Sequence, residues 1–137
     1  MRQLILAAGL LAALGCATQP SELSVKEVSV ATTTASGQPI RLPGGDVRIV
    51  LSTYVIPAGA KLPVHKHLHT RLAYVQEGTI AVTNVDTNQT ARYGPGDLVV
   101  ESVDQWHFGV NTGDVPVRLL VLDEVPIDVK SNVVKRD

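Results

Sequence analysis

The chain has 137 residues, 45% of them hydrophobic but only 4% aromatic, and a formal net charge of −1. Its 12 basic and 13 acidic residues are scattered singly, so no basic stripe exists to hold nucleic acid, and the core must be largely aliphatic. One composition regime follows the N-terminus, which predicts one domain.

Residues 1–16 read as an export signal: Arg2 supplies a short positive region and residues 4–14 an apolar one. That apolar run is too short to span a bilayer, which takes about 20 residues. It ends in Ala13-Leu14-Gly15-Cys16, which resembles a bacterial lipobox, with Cys16 as the lipidated residue. The rival is ordinary cleavage after Ala17. Either way the chain is expected in the periplasm or tethered to a membrane by its lipid, without spanning it. Cys16 is the only cysteine, so no disulfide is expected.

Residues 17–23 read as a linker, and residues 24–137 as the folded unit. Residues 24–31 (SVKEVSVA) predict an irregular strand. Residues 32–45, with three glycines and two prolines, predict a loop. Residues 46–57 predict a long strand with Val47, Ile49 and Leu51 on one face, opposite Arg48 and Ser52. Further strands are predicted over 62–67, 72–76, 79–85, 90–93, 97–102, 107–110 and 115–123, with a break at 68–71. NVDTNQ at 84–89 is a hairpin signal, and residues 125–137 carry little pattern. Short strands, Gly/Pro turns and no helical period predict an all-β sandwich or barrel.

The stretch from 59 to 78 carries His65, His67 and His69; the fourth histidine is His107. On a strand, His65 and His67 point the same way, about 7 Å apart. Such a pair can share one metal ion if a neighbouring strand brings a third ligand, and His107 is placed to be that ligand.

Gly59, five residues, His65, one residue, His67, then Tyr74-Val75-Gln76-Glu77-Gly78 resembles the first cupin motif, G-x5-H-x-H-x3-4-E-x6-G. Gly96, ten residues, His107, three residues, Asn111 resembles the second motif. The resemblance runs over about residues 46–122. It implies a double-stranded β-helix (jelly-roll) barrel, one divalent ion (Fe, Mn, Zn or Ni), a small-molecule ligand and a homodimer. More narrowly, the chain resembles small exported bacterial single-domain cupins of mostly unassigned activity.

Three positions depart from the motifs. Six residues before Gly78 stands Arg71 instead of the glutamate, and a guanidinium cannot ligate a metal. Ser102 and Asp104 replace the usual Pro and Gly of the second motif. Candidates for the fourth ligand are Glu101, His69 and water. Arg71 is expected at the surface; turned inward, it would attract a substrate carboxylate. Tyr74 and Trp106 are candidate pocket residues, otherwise barrel wall together with Phe108. Three functions remain open: a metal-dependent dioxygenase, isomerase or lyase acting on a small acid; a non-catalytic metal or ligand binder; and a metal-free scaffold.

Overall fold

The computed structural model describes residues 22–136. The export signal and Cys16 lie outside them. Nine strands form: β1 (Val47–Ile56), β2 (His65–His67), β3 (Arg71–Glu77), β4 (Ile80–Asn84), β5 (Gln89–Tyr93), β6 (Leu98–Val100), β7 (His107–Asn111), β8 (Val117–Pro126) and β9 (Val133–Lys135). One sheet has the order β1-β8-β3-β6 and the other β5-β4-β7-β2-β9, with every pairing antiparallel. The two sheets face each other as a jelly roll, the all-β double-stranded architecture that the sequence predicts.

The core lies between the sheets. Strand β8 alternates strictly: Val117, Leu119, Val121, Asp123 and Val125 are buried, and the residues between them are not. Ala73 and Val75 of β3 and Val99 of β6 join it from the same sheet; Ile80 of β4 faces them from the other. Burial of these aliphatic side chains supplies the main driving force for closure, roughly 1.5–3 kcal/mol per fully buried Val, Leu or Ile. Gly78 turns β3 into β4 at φ +78°, and a Cβ there would sit 2.8 Å from the Pro116 carbonyl oxygen. Only glycine meets both demands. The hairpin between β4 and β5 forms as predicted, with Asn84 Oδ1 accepting the main-chain N–H groups of Asp86 and Thr87.

One reading needs correction, and two features go beyond what the sequence told. Residues 24–31 form no strand: Val25, Val28 and Val30 are 63–86% exposed, and no strand among the described residues pairs with the segment. The shared apolar face of β1 points outward, with Ile49 and Leu51 more than 60% exposed. Arg48 takes the inner side because its guanidinium donates to the main-chain carbonyls of Val129 and Lys130. Finally, the patternless tail contributes β9, which pairs His65 with Lys135 and His67 with Val133. A three-residue strand carries too little alternation to be recognised in a sequence.

Candidate metal centre

His65 and His67 alternate on β2 around Lys66, so both rings face the barrel interior. Strand β7 lies beside β2 with His107 directly opposite His65. The ring centroids stand 4.5 Å apart for His65–His107 and 5.0 Å for each of the other two pairs. Three imidazoles from two strands therefore converge on one point.

Glu101 completes the group. It follows β6, and its main-chain N–H donates to the Arg71 carbonyl at 2.9 Å. The carboxylate expected on β3 is thus supplied by its neighbour across the β3–β6 ladder. Donor atoms of His65, His67, Glu101 and His107 all lie within 4.8 Å of one another. Two ligands with bonds of about 2.1 Å to one tetrahedral ion stand about 3.4 Å apart, so small side-chain movements would close this set on an ion. Three imidazoles and a carboxylate suit a borderline divalent metal.

The hydrogen bonds hold this group together without an ion. Glu101 Oε2 stands 2.8 Å from His67 Nε2 and 2.9 Å from His107 Nε2, within hydrogen-bond distance of both. The other ring nitrogens of these residues stand at hydrogen-bond distance from main-chain carbonyls, His67 Nδ1 from Asn132 and His107 Nδ1 from Gln105. His65 Nδ1 donates to the Pro63 carbonyl, which leaves its Nε2 as the free nitrogen. Such outer contacts fix which nitrogen of each ring is offered to an ion.

Electrostatics follow from burial and these bonds. Burial pushes the Glu101 carboxyl up, but the bonds from His107 and His67 outweigh it and hold the group well below the usual range. Burial pushes His107 down, yet Glu101 more than reverses this and the imidazole is raised. His65 is lowered, by burial first and then by the neighbouring imidazoles.

Arg71 is buried, which corrects the surface expectation. Its Nε and Nη2 donate to Asp123 at 2.8 and 2.7 Å in a bidentate pair, and Nη1 makes a longer 3.4 Å contact with Tyr54 Oη. Burial alone would raise the Asp123 carboxyl; the Arg71 and Asn132 bonds lower it on balance. Asn132 ties the network to the histidines. Its side chain donates to Asp123 and to the His69 carbonyl and accepts from the His69 N–H, while its main-chain carbonyl receives His67 Nδ1. His69 therefore serves through its backbone, and its ring is outside the donor group. Tyr74 pairs with Leu98 and Leu120 on the outer side of its sheet, turned from the site. Trp106 packs beneath Lys66 and Arg136, at 5.0 and 5.6 Å. Asp123 had a signal in the sequence, since the β8 alternation places it inward; Asn132 and Tyr54 had none.

A cavity of about 300 Å3 reaches Glu101 and His107 from the seam between β5 and β6, where Asn84, Thr90, Tyr93 and Ser102 give it a polar, largely uncharged wall.

The family pattern described as a cupin domain matches residues 52–123, just over half of the chain. The protein belongs to the cupin family. Among solved structures it is similar to the cupin domain of Schizosaccharomyces pombe Cnp3, at 23% identity and a TM-score of 0.52 over 57% of this chain and 56% of that one. It is also similar to the DMSP lyase DddQ of Ruegeria pomeroyi DSS-3, at 25% identity and a TM-score of 0.54, covering 64% of this chain and 42% of that one. An uncharacterised double-stranded β-helix protein of Klebsiella pneumoniae subsp. pneumoniae MGH 78578 matches at 17% identity and a TM-score of 0.54, covering 72% and 90%. This cupin thus spans little more than half of the first of these and less than half of the second. No curated protein matches the sequence.

The site makes stability depend on pH and metal together. In the metal-free protein, the lowered carboxyls of Glu101 and Asp123 contribute stability that is present above about pH 4 and lost as pH falls through their native values. Raised His107 contributes stability below about pH 6.5 that is lost as pH rises; lowered His65 acts in the opposite sense. These two act in opposite senses, so the metal-free curve should rise from acid chiefly through the carboxyls. A divalent ion needs imidazole lone pairs and competes with the proton that Glu101 favours on His107, so its stabilisation grows with pH. Melting temperatures at pH 5.5 and 7.5, with and without zinc, should show the larger zinc increment at 7.5. Equal increments would contradict this account.

Proposed function

We propose that this cupin is a divalent-metal-dependent enzyme of the bacterial cell envelope that acts on a small carboxylic acid. The observation that carries this reading is the convergence of three imidazoles and Glu101 at the inner end of a cavity large enough for a small molecule. A purely structural metal would be closed off by protein; this donor set adjoins open space. A bound ion would polarise a substrate oxygen or activate dioxygen. The chain's own residues orient the imidazoles through Asn132, Gln105 and Pro63, and aliphatic walls restrict water around them. Likeness to a lyase structure at 25% identity supports an enzymatic use of such a site without naming its substrate.

The test is a screen of short carboxylic, hydroxy and keto acids with protein loaded with iron, manganese, nickel or zinc. Conversion of an acid that requires both the ion and Glu101 supports the reading. Full metal occupancy with no acid converted would overturn it in favour of a non-catalytic binder. Export rests on residues 1–16, and lipidation of Cys16 would show as a diacyl mass on the N-terminal peptide.

A second reading concerns assembly. Val47, Ile49, Leu51 and Val55 form an exposed apolar row on edge strand β1, and Val25, Val28 and Val30 of the preceding segment are exposed as well. An unpaired edge and an apolar outer face favour a partner of the same kind. The occupant is a second copy of this chain, related by a two-fold axis. Sedimentation should give a dimer, and Ile49→Lys/Leu51→Lys should give a monomer with unchanged metal content. A wild-type monomer at micromolar concentration would reject it.

A further inference from the structure

The site has a second approach, on the side opposite the polar cavity. A space of about 180 Å3 lies between the facing edges of β1 and β9 and is lined by Tyr54, Leu62, His65, Arg71, Val133 and Lys135, with Pro63 at its margin. Its chemistry differs from the polar cavity at the β5–β6 seam. There Glu101 supplies a carboxylate beside the His107 ring, and no Lys or Arg lines the wall. Here two cations and a phenol hydroxyl share one wall, with Leu62 and Val133 as an apolar floor.

The arrangement follows from register. Lys135 pairs with His65 across β9 and β2, so its side chain leaves the same face of the sheet as the metal-ligating ring. Tyr54 occupies the inward side of β1, two residues before buried Ile56. Arg71 approaches from β3. Asp123 takes its Nε and Nη2, and the remaining terminal nitrogen, Nη1, points towards Tyr54 Oη. Asp123 neutralises much of the Arg71 charge but leaves that of Lys135 uncompensated: among the described residues, no carboxylate stands within ion-pair distance of Lys135.

We infer that this second space seats the carboxylate end of the ligand, with Lys135, Tyr54 Oη and Arg71 Nη1 as its donors, so that the rest of the molecule extends past His65 towards the metal-binding group. This rests on the reading of a metal-dependent site for small acids and adds how such an acid is oriented. Arg71, which departs from the family glutamate, then has two uses: it anchors Asp123 and offers one donor to the ligand. The ligand is a short monocarboxylic acid with its reactive atoms on the far side of His65. The polar cavity at the β5–β6 seam remains open to water or a neutral second reactant.

The test uses propionate as the probe and propionamide as its uncharged counterpart, titrated into the full folded chain by calorimetry or NMR. The wild type should bind propionate more tightly than propionamide. Lys135→Met and Tyr54→Phe should each weaken propionate by roughly five-fold, the scale of one partly exposed ionic or hydrogen-bonding contact. Neither should change metal content. Arg92→Ala removes an equal charge from exposed β5, and its propionate affinity should match the wild type. Equal affinity for the acid and the amide, or propionate binding untouched by both substitutions, would overturn the inference. The titration is repeated on metal-free protein, because the three donors belong to the chain. Failure to bind metal with propionate binding intact would therefore strike the metal reading alone.

Discussion

Purified His67→Ala/His107→Ala protein should carry no divalent ion, where the parent holds about one per chain. Both rings lose their place around Glu101, and the two residues left in the donor group, His65 and Glu101, are too few to keep an ion against dilution. His67 is fully buried, so the double variant could lose metal simply by unfolding. His65→Ala removes a ring that is less deeply buried, and should lose metal while keeping the metal-free melting temperature near that of the parent. Glu101→Gln should weaken retention about ten-fold or more, since it replaces an anionic ligand with a neutral one. Metal content equal to the parent in the double variant, measured by elemental analysis after dialysis, would contradict the assignment of all three histidines.

The largest stability effect should come from the buried pair beside the site. Arg71 and Asp123 are 7% and 8% exposed at their side chains and share two short hydrogen bonds. Arg71→Met leaves the Asp123 carboxylate buried with only Asn132 to satisfy it, near a second carboxylate at Glu101. Breaking one side of such a pair costs about 3–5 kcal/mol. The double variant Arg71→Met/Asp123→Asn removes the orphaned charge and should recover most of that loss, because the gain of a buried ion pair over neutral partners is small. Denaturant midpoints of the parent, the single and the double variant would show this. A single variant within about 1 kcal/mol of the parent would mean that water reaches the pair freely.

Much of the fold was legible because β structure writes itself in alternation and turns. The strand at β1 and those from β3 to β8 follow apolar alternation and are separated by Gly, Pro and Asn turns, so each fell near its predicted place. The limits share a cause: alternation marks two faces without saying which is covered or by what. Val47, Ile49 and Leu51 do share a face, but the Arg48 bonds to the C-terminal carbonyls turn it outward. The segment 24–31 has strand-like residues and no strand partner among the described residues, and β9 has a partner but almost no pattern.

The site was legible for a different reason. His65 and His67 are two apart on a strand, so their convergence is local geometry. His107 and Glu101 were placed by motif spacing and by position after an apolar run. The environment of Arg71 could not be read from spacing, because its partner Asp123 lies 52 residues away and Asn132 beyond that. A long-range ion pair leaves no local trace. The same holds for Tyr54 and Lys135, which meet only when the edges of two sheets are brought together.

The most direct measurement is X-ray absorption at the metal edge of the loaded protein. The account predicts a shell of nitrogen and oxygen donors at about 2.0–2.2 Å with the outer-shell scattering of three imidazole rings. A metal spectrum without imidazole scattering, or with that of a single ring, would contradict the convergence of His65, His67 and His107 on one ion.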